Sequence, residues 1–321
     1  MPEGPRLEVG SASSDQLFGR PGAWTLRLSA AASLGNDGGH FESEGVNGAG
    51  ATVPVPRHRH EVEVNTFRTV LDLEYAAAGN LAFRLKLPYE ERDRSARIGL
   101  VDPATAAERA AMQRGLDFHH PDATLSGVRD LELTAARAWR GALAADDCLE
   151  LAAGLSLPTG QTESNPYARD ANGNLLPHEH MQFGSGTVDP LLQLTWARAL
   201  NEDWSASVFA AARAPLYENS HDFRAPREVT LSGGLGRAQG ARWHLRGTLT
   251  ALYSSQAEWA GVADVNTGWV TTYAGLGAEW RGENLSCSLL LQLPIAQNTL
   301  GEGDETYDLG PVISLSFGHG L

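Results

Sequence analysis

The fold is decided by residues 81–90, which read Leu81-Ala-Phe-Arg-Leu-Lys-Leu-Pro-Tyr-Glu90. Apolar side chains occupy every second position, and small, charged or polar ones occupy the positions between them. Because successive side chains of a β-strand point to opposite faces, this period of two predicts a strand with one apolar and one polar face. Strands of this kind are typical of membrane β-barrels, in which the outer face meets lipid and the inner face meets water.

The same alternation recurs along the whole chain, with turn-forming residues between the segments. It predicts an all-β protein, a transmembrane antiparallel β-barrel. About twelve alternating segments can be counted, which agrees with the even strand number of outer-membrane barrels. The predicted strands are residues 22–34, 61–77, 80–92, 127–140, 148–159, 185–200, 204–217, 227–238, 241–255, 268–281, 285–297 and 306–318.

The predicted connections alternate between long and short, as expected for long extracellular loops and short periplasmic turns. The first long loop covers residues 35–60 and the second 93–126, while residues 78–79 form a short turn. The 93–126 loop contains one predicted helix, with Asp102 as N-cap, proline at the first helical position and an end at Gly115. This helix either folds inward to narrow a pore or covers the rim.

Composition excludes several classes of protein. The 321 residues carry a net charge of −14, which argues against a nucleic-acid partner. Two cysteines are too few for a disulfide framework, and no apolar stretch is long enough for a transmembrane helix. We expect one outer-membrane barrel domain over residues 1–321, with residues 1–21 as an N-terminal periplasmic segment and no signal peptide in this chain.

Charged side chains on the inward phase are candidates for a lumen lining. They form either a structural network that fills the barrel or a selectivity lining, and the sequence favours neither. The candidates are Arg68, Asp72, Glu74, Arg84, Lys86, Glu90, Asp130, Glu132, Glu150, His244 and Arg246.

Histidines concentrate in the predicted long loops. His58 and His60 form one pair at a spacing of two residues, and His178 and His180 form another. Two imidazoles at this spacing can chelate a transition metal from an extended chain, although no third or fourth ligand follows from the sequence. No cofactor is predicted.

Residues 127–217 resemble the outer-membrane proteins of the meta-pathway phenol-degradation family. The resemblance rests on a Leu-Pro-Thr-Gly strand end at residues 157–160 and a Gly-x-Gly-x-x-Asp-Pro run at residues 184–190. It implies an outer-membrane barrel linked to uptake of aromatic or other hydrophobic compounds. A structural role at strand ends and turns is the simplest interpretation of the motif residues. They are Pro158, Gly160, Gly184, Gly186, Asp189 and Pro190.

These observations predict a channel or transporter for small, hydrophobic or aromatic molecules in the bacterial outer membrane. The alternative is a non-transporting barrel with a structural role or a metal or partner site on its loops. No serine–histidine pair or nucleophile motif stands out, so we do not expect an enzyme. The expected partners are outer-membrane lipid, lipopolysaccharide and a small-molecule solute, and the oligomeric state is left open.

Overall fold

The computed structural model describes residues 18, 20–165, 182–265, 267–301 and 306–321. Within them the chain forms strands and one α-helix. Their bounds are β1 Trp24–Val46, β2 Thr52–Ala78, β3 Leu81–Leu100, α1 Ala106–His119, β4 Ala123–Val128, β5 Leu131–Arg140, β6 Asp147–Leu157, β7 Asp189–Ala199, β8 Trp204–Arg213, β9 Phe223–Arg224, β10 Glu228–Gln239, β11 Trp243–Ser254, β12 Glu258–Trp259, β13 Val262–Ala263, β14 Trp269–Arg281, β15 Leu285–Thr299, β16 Thr306–Asp308 and β17 Val312–Gly320.

The strands close into one antiparallel barrel. β1 pairs with β2 on one side and with β17 on the other, so the sheet has no free edge. The barrel has twelve strand positions, because β4 and β5 both pair with β3, and β16 and β17 both pair with β1. The short strands β9, β12 and β13 form a separate small sheet. The predicted fold class is confirmed.

The alternation that predicted the strands separates the two faces of the barrel. On β3, Phe83 is 50% exposed and points outward, whereas its neighbour Ala82 is fully buried and points inward. Large apolar side chains, such as Leu87 on β3 and Leu249 on β11, cover the outer face. This apolar surface is what a barrel presents to lipid.

The two ends of the barrel differ. Short turns join β2 to β3, β5 to β6 and β10 to β11 at one end, which is called the short-turn end here. The N-terminal start of β1 and the end of β17 lie at this same end, since Thr25 pairs with Gly320. Helix α1, residues 158–165 and residues 182–188 lie at the opposite, long-loop end.

The predicted loop at residues 35–60 is wrong. β1 and β2 remain paired far beyond the apolar part of the strands, out to the pair Val46–Thr52, and leave only residues 47–51 as a turn. β3 also continues to Leu100, still in register with β2. This three-stranded extension shows no apolar alternation because it lies beyond the lipid-facing band, and backbone hydrogen bonds can pair strands without it.

Helix α1 is confirmed, but its ends differ from the prediction. Thr105, not Asp102, is the N-cap, and Thr105 and Glu108 exchange hydrogen bonds in a capping box. The helix continues through Gly115 to His119. A glycine suits this position because the helix packs closely against Gly45 of β1.

None of the described helical residues form a segment with the length and apolarity needed to cross a membrane. Cys148 and Cys287 are both free thiols.

Candidate functional site in the barrel lumen

A buried ion cluster forms around Arg84 of β3, in the part of the lumen toward the short-turn end. Its Nε donates to Glu74 Oε2 of β2 at 2.5 Å, and its Nη1 and Nη2 donate to the two carboxylate oxygens of Glu150 on β6 at 2.5 and 2.9 Å. Glu74 is the direct cross-strand partner of Arg84, whereas Glu150 is reached across β5. Arg84 is only 6% exposed, so the pairing offsets the cost of removing its charge from water.

A second cluster lies nearer the long-loop end, around Glu90 of β3. Its carboxylate accepts hydrogen bonds from Arg92 Nε at 2.6 Å and from Arg129 Nη1 at 2.7 Å. Between the two clusters, Lys86 Nζ lies 3.7 Å from Glu132 Oε2. Acidic and basic side chains therefore lie close together along one wall of the lumen.

The predicted lumen residues divide into two groups. Most lie together in the interior of the β2, β3, β5 and β6 wall, whereas His244 and Arg246 of β11 lie apart, near the short-turn end. The residues that the structure brings together are Arg68, Asp72, Glu74, Arg84, Lys86, Glu90, Asp130, Glu132 and Glu150. Their role in selecting a solute stays a prediction.

Sequence reasoning missed Arg129. It lies between β4 and β5, where the register against β3 shifts by one residue between the pairs Lys86–Glu132 and Tyr89–Val128. The shift breaks the alternation, and an odd-numbered side chain turns inward toward Glu90. A prediction that keeps one phase over residues 127–140 therefore places Arg129 on the outer face.

Arg213 of β8 and Glu228 of β10 were also missed. They are cross-strand partners, with Arg213 Nε 3.2 Å from Glu228 Oε2, and both line the lumen. For Arg213 the sequence did contain a signal. Arg213 lies four residues after Phe209 on the same strand, and an even spacing places both side chains on the inner face, where Phe209 is buried.

A cavity of about 170 Å³ lies between the charged wall and the opposite wall. Its described lining includes five basic and four acidic side chains, so its charges nearly balance. Across from them stand the apolar and aromatic side chains of Leu191, Phe209, Leu252 and Trp269. One side of the cavity therefore offers hydrogen bonds and the other offers apolar contact.

Asp130 and the motif residues form a hydrogen-bonded cluster at the long-loop end, called the Asp130 cluster below. Asp130 accepts hydrogen bonds from the backbone N–H of Gly160 at 3.0 Å and of Ser185 at 2.7 Å, and from Ser185 Oγ at 2.8 Å. A Cβ on Gly184 would lie 2.6 Å from Asp130 Oδ1, so that glycine permits a close approach. Among the motif glycines Gly160, Gly184 and Gly186, only Gly186 has a positive φ, of 70°.

The other motif residues have structural contacts too. β6 ends at Leu157, directly before Pro158 and two residues before the predicted strand end at residue 159. Asp189, fully buried at the start of β7, accepts a hydrogen bond from Thr187 Oγ1 at 2.5 Å, and Pro190 follows it on the same strand. The motif thus fixes how the chain re-enters the barrel wall.

Phe18 narrows the short-turn end of the lumen. It is 7% exposed and packs against inward-facing alanines, among them Ala82 and Ala136. The Arg84 guanidinium carbon lies 5.3 Å from the centre of its ring, a cation–π contact. Phe18 belongs to the predicted N-terminal segment 1–21, of which the structure describes only residues 18, 20 and 21.

The predicted metal pairs fall in different places. His58 and His60 are strand residues of β2 rather than loop residues, and both are almost fully buried. His178 and His180 lie outside the described residues. One ring nitrogen each of His40, His60 and His120 lie within 4.8 Å of one another.

No protein-family model matches the sequence, and no curated protein is significantly similar to it. Among solved structures, the COG4313 outer membrane channel from Pseudomonas putida F1 aligns over 94% of this chain and 96% of its own, at 15% identity and a TM-score of 0.58. This likeness supports the barrel fold. The P. putida toluene transporter TodX (9% identity, 94% and 90% coverage, TM-score 0.42) and a Pseudomonas aeruginosa FadL homologue (10%, 94% and 93%, 0.41) are too distant to add to it.

Proposed function

We propose that this protein is a channel of the bacterial outer membrane that passes small solutes with an aromatic or other apolar part and a polar group. The cavity between the charged wall and the aromatic wall carries the proposal. The barrel fold, which it shares with an outer membrane channel, supports it. Membership of the phenol-degradation family stays a prediction, because no family model matches.

The size of the cavity favours a solute with a single ring. A cavity of about 150 Å³ in an engineered protein core is large enough to bind benzene. The lumen cavity, at about 170 Å³, admits a ring with a small substituent. A sugar chain or a peptide would exceed it.

The lining favours an uncharged solute. Because acidic and basic side chains nearly balance, the cavity does not strongly prefer ions of either sign. Lys86 and Gln193 on one side can hydrogen-bond a hydroxyl group, while Phe209 and Trp269 on the other contact a ring. A phenol-like molecule matches both walls.

The test is solute flux into liposomes that contain the refolded full-length protein. We expect phenol or benzyl alcohol to enter faster than into protein-free liposomes, and a disaccharide to be excluded. Replacing Gln193 with phenylalanine, which fills the cavity from β7, should slow the phenol flux, whereas Leu192→Phe on the lipid face should leave it unchanged. Equal fluxes in the two variants would contradict the proposal.

Contacts with outer-membrane lipid and lipopolysaccharide belong to the same proposal. The apolar outer face would contact outer-membrane lipid, and the long-loop end would contact lipopolysaccharide. Transport is passive in this account, and no reaction chemistry is assigned to the lumen.

A further inference from the structure

We propose that His40, His60 and His120 form a binding site for a borderline divalent transition metal such as Zn²⁺, which ties helix α1 to the strand extension. The proposal goes beyond the predicted metal pairs, because two of the three ligands lie outside both pairs. It is independent of solute transport.

Three elements bring the histidines together. His40 of β1 and His60 of β2 are direct cross-strand partners, and His120 follows the end of α1. The ring centres lie 5.1 Å apart for His40 and His60, 5.3 Å for His40 and His120, and 5.7 Å for His60 and His120. Ligand nitrogens of a tetrahedral zinc site, with Zn–N distances of about 2.0–2.1 Å, lie about 3.4 Å apart. Modest side-chain rotation would therefore close the site.

Hydrogen bonding leaves one nitrogen of His60 available. His58 Nδ1 lies 3.0 Å from the carbonyl oxygen of Pro56, which can only accept, so His58 carries its proton there. In a His58 ring that is protonated at Nδ1 alone, Nε2 is an acceptor, and it lies 3.2 Å from His60 Nε2, which must then donate. This assignment leaves Nδ1 of neutral His60 without a proton.

That nitrogen is buried and unsatisfied. His60 is 1% exposed, and its Nδ1 has no hydrogen-bond partner among the described residues. A buried acceptor without a donor costs about 1–3 kcal/mol, and a metal ion would satisfy it. The chain Pro56–His58–His60 then resembles the outer-shell hydrogen bonds that orient metal-binding histidines.

The protonation state suits a metal. Burial, with the nearby rings of His40 and His58 adding to it, lowers the pKa of His60 to about 3. Burial also lowers the pKa of His40. Both imidazoles are therefore neutral near pH 7, which is the form that binds metal ions. Three imidazole ligands with a fourth position open to water suit Zn²⁺ and Cu²⁺ far better than Mg²⁺ or Ca²⁺.

Packing of α1 places His120 at the site. The register of β2 against β3 does not shift between Glu74 and His58, so even-numbered residues of β2 face inward over this whole stretch. Helix α1 packs on the same face, because Met112 contacts Ile98, the cross-strand partner of His60. The helix therefore covers the lumen side of the extension. Met112 is fully buried against Val55 and Ile98. Bound metal would add a link between this helix and β1 and β2, and would fix the helix on the inner side of the rim.

The experiment measures Zn²⁺ binding to tag-free, full-length protein refolded in detergent, by competition with a chromophoric chelator. We expect one Zn²⁺ per chain, with Mg²⁺ unable to compete. His120→Asn, which lies outside the strands, and His40→Asn should each weaken binding at least about tenfold. The matched control, His319→Asn on the last strand, should bind as the parent protein does.

Two further measurements separate this site from others. Cobalt(II) bound in place of zinc should give the intense visible absorption of a tetrahedral site in the parent, and this absorption should be lost in His120→Asn. The double variant His178→Asn/His180→Asn should keep both properties. Absence of Zn²⁺ binding by the parent would overturn the proposal, as would unchanged binding in His120→Asn or loss of binding in the double variant. Gel mobility of unboiled samples verifies that every variant is folded.

Discussion

Replacing Arg84 with glutamine should make the lumen more selective for cations. The cluster holds one guanidinium between the carboxylates of Glu74 and Glu150, so the substitution raises its net negative charge by one. All three side chains are largely buried in the barrel interior, and Arg84 and Glu150 line the lumen cavity.

The size of the effect follows from Coulomb's law. The Coulomb energy between a unit charge and a monovalent ion about 5 Å away is about 0.8 kcal/mol, even at the dielectric constant of water. That energy raises the local cation concentration about fourfold and lowers the anion concentration by the same factor. The cation-to-anion permeability ratio should therefore increase several-fold, and more so at low salt.

The assay is the reversal potential across a planar bilayer under a KCl gradient. Arg97→Gln is the matched control, because it removes the same charge from the strand extension, where that side chain is 78% exposed. The double variant Arg84→Gln/Glu150→Gln, which restores the net charge of the cluster, should return the reversal potential toward the parent value. An identical reversal potential for Arg84→Gln and Arg97→Gln would refute the view that the cluster lines the ion path.

Four further substitutions test other parts of the structure. Phe18→Ala should raise the single-channel conductance, because it removes the ring that narrows the short-turn end. Thr105→Ala should destabilise the first turn of α1 by about 1 kcal/mol, measured as faster hydrogen exchange there. Asp130→Asn should destabilise the Asp130 cluster by about 1.5–3 kcal/mol per charged hydrogen bond lost, and should speed proteolysis between β6 and β7. Gly154→Val should destabilise the barrel by about 3 kcal/mol or more, seen as a lower urea midpoint, because a Cβ there would lie 1.9 Å from Leu133 O.

Each of these substitutions has a control or a contradicting result. Gly233→Ala, where no atom lies within 4 Å of the added Cβ, should leave the urea midpoint nearly unchanged. The Asp130 prediction fails if the loop is cleaved at the parent rate, and the Thr105 prediction fails if exchange in α1 is unaltered. An unchanged conductance for Phe18→Ala would place the narrowest point of the lumen elsewhere.

Lipid-facing strands could be predicted from the sequence because lipid imposes a strict requirement on every second side chain. The pattern of residues 81–90 indicated both the strand and its outward face, and the structure has both. The extension formed by residues 35–60 escaped prediction because no lipid selects its side chains. Its glycines and histidines resemble a loop in composition but pair as strands.

Part of the candidate site followed from the same alternation. Arg84 and Glu74 are cross-strand partners on adjacent strands. The alternation, which assigned both side chains to the inner face, was therefore sufficient to predict that they lie close together. Arg129 depends on a register shift, and His120 depends on how a helix packs after it leaves the sheet. Neither is encoded in a local period, which is why the charged wall was predicted in part and the three-histidine cluster was not.

Single-channel recording of the refolded full-length protein in planar bilayers shows whether the barrel conducts. We expect discrete conductance steps from protein that migrates faster unboiled than boiled on a gel, and a reduction of those steps when phenol occupies the cavity. Protein that shows this folded mobility but gives no steps, in the parent and in Phe18→Ala alike, would contradict the proposal that the barrel is a channel.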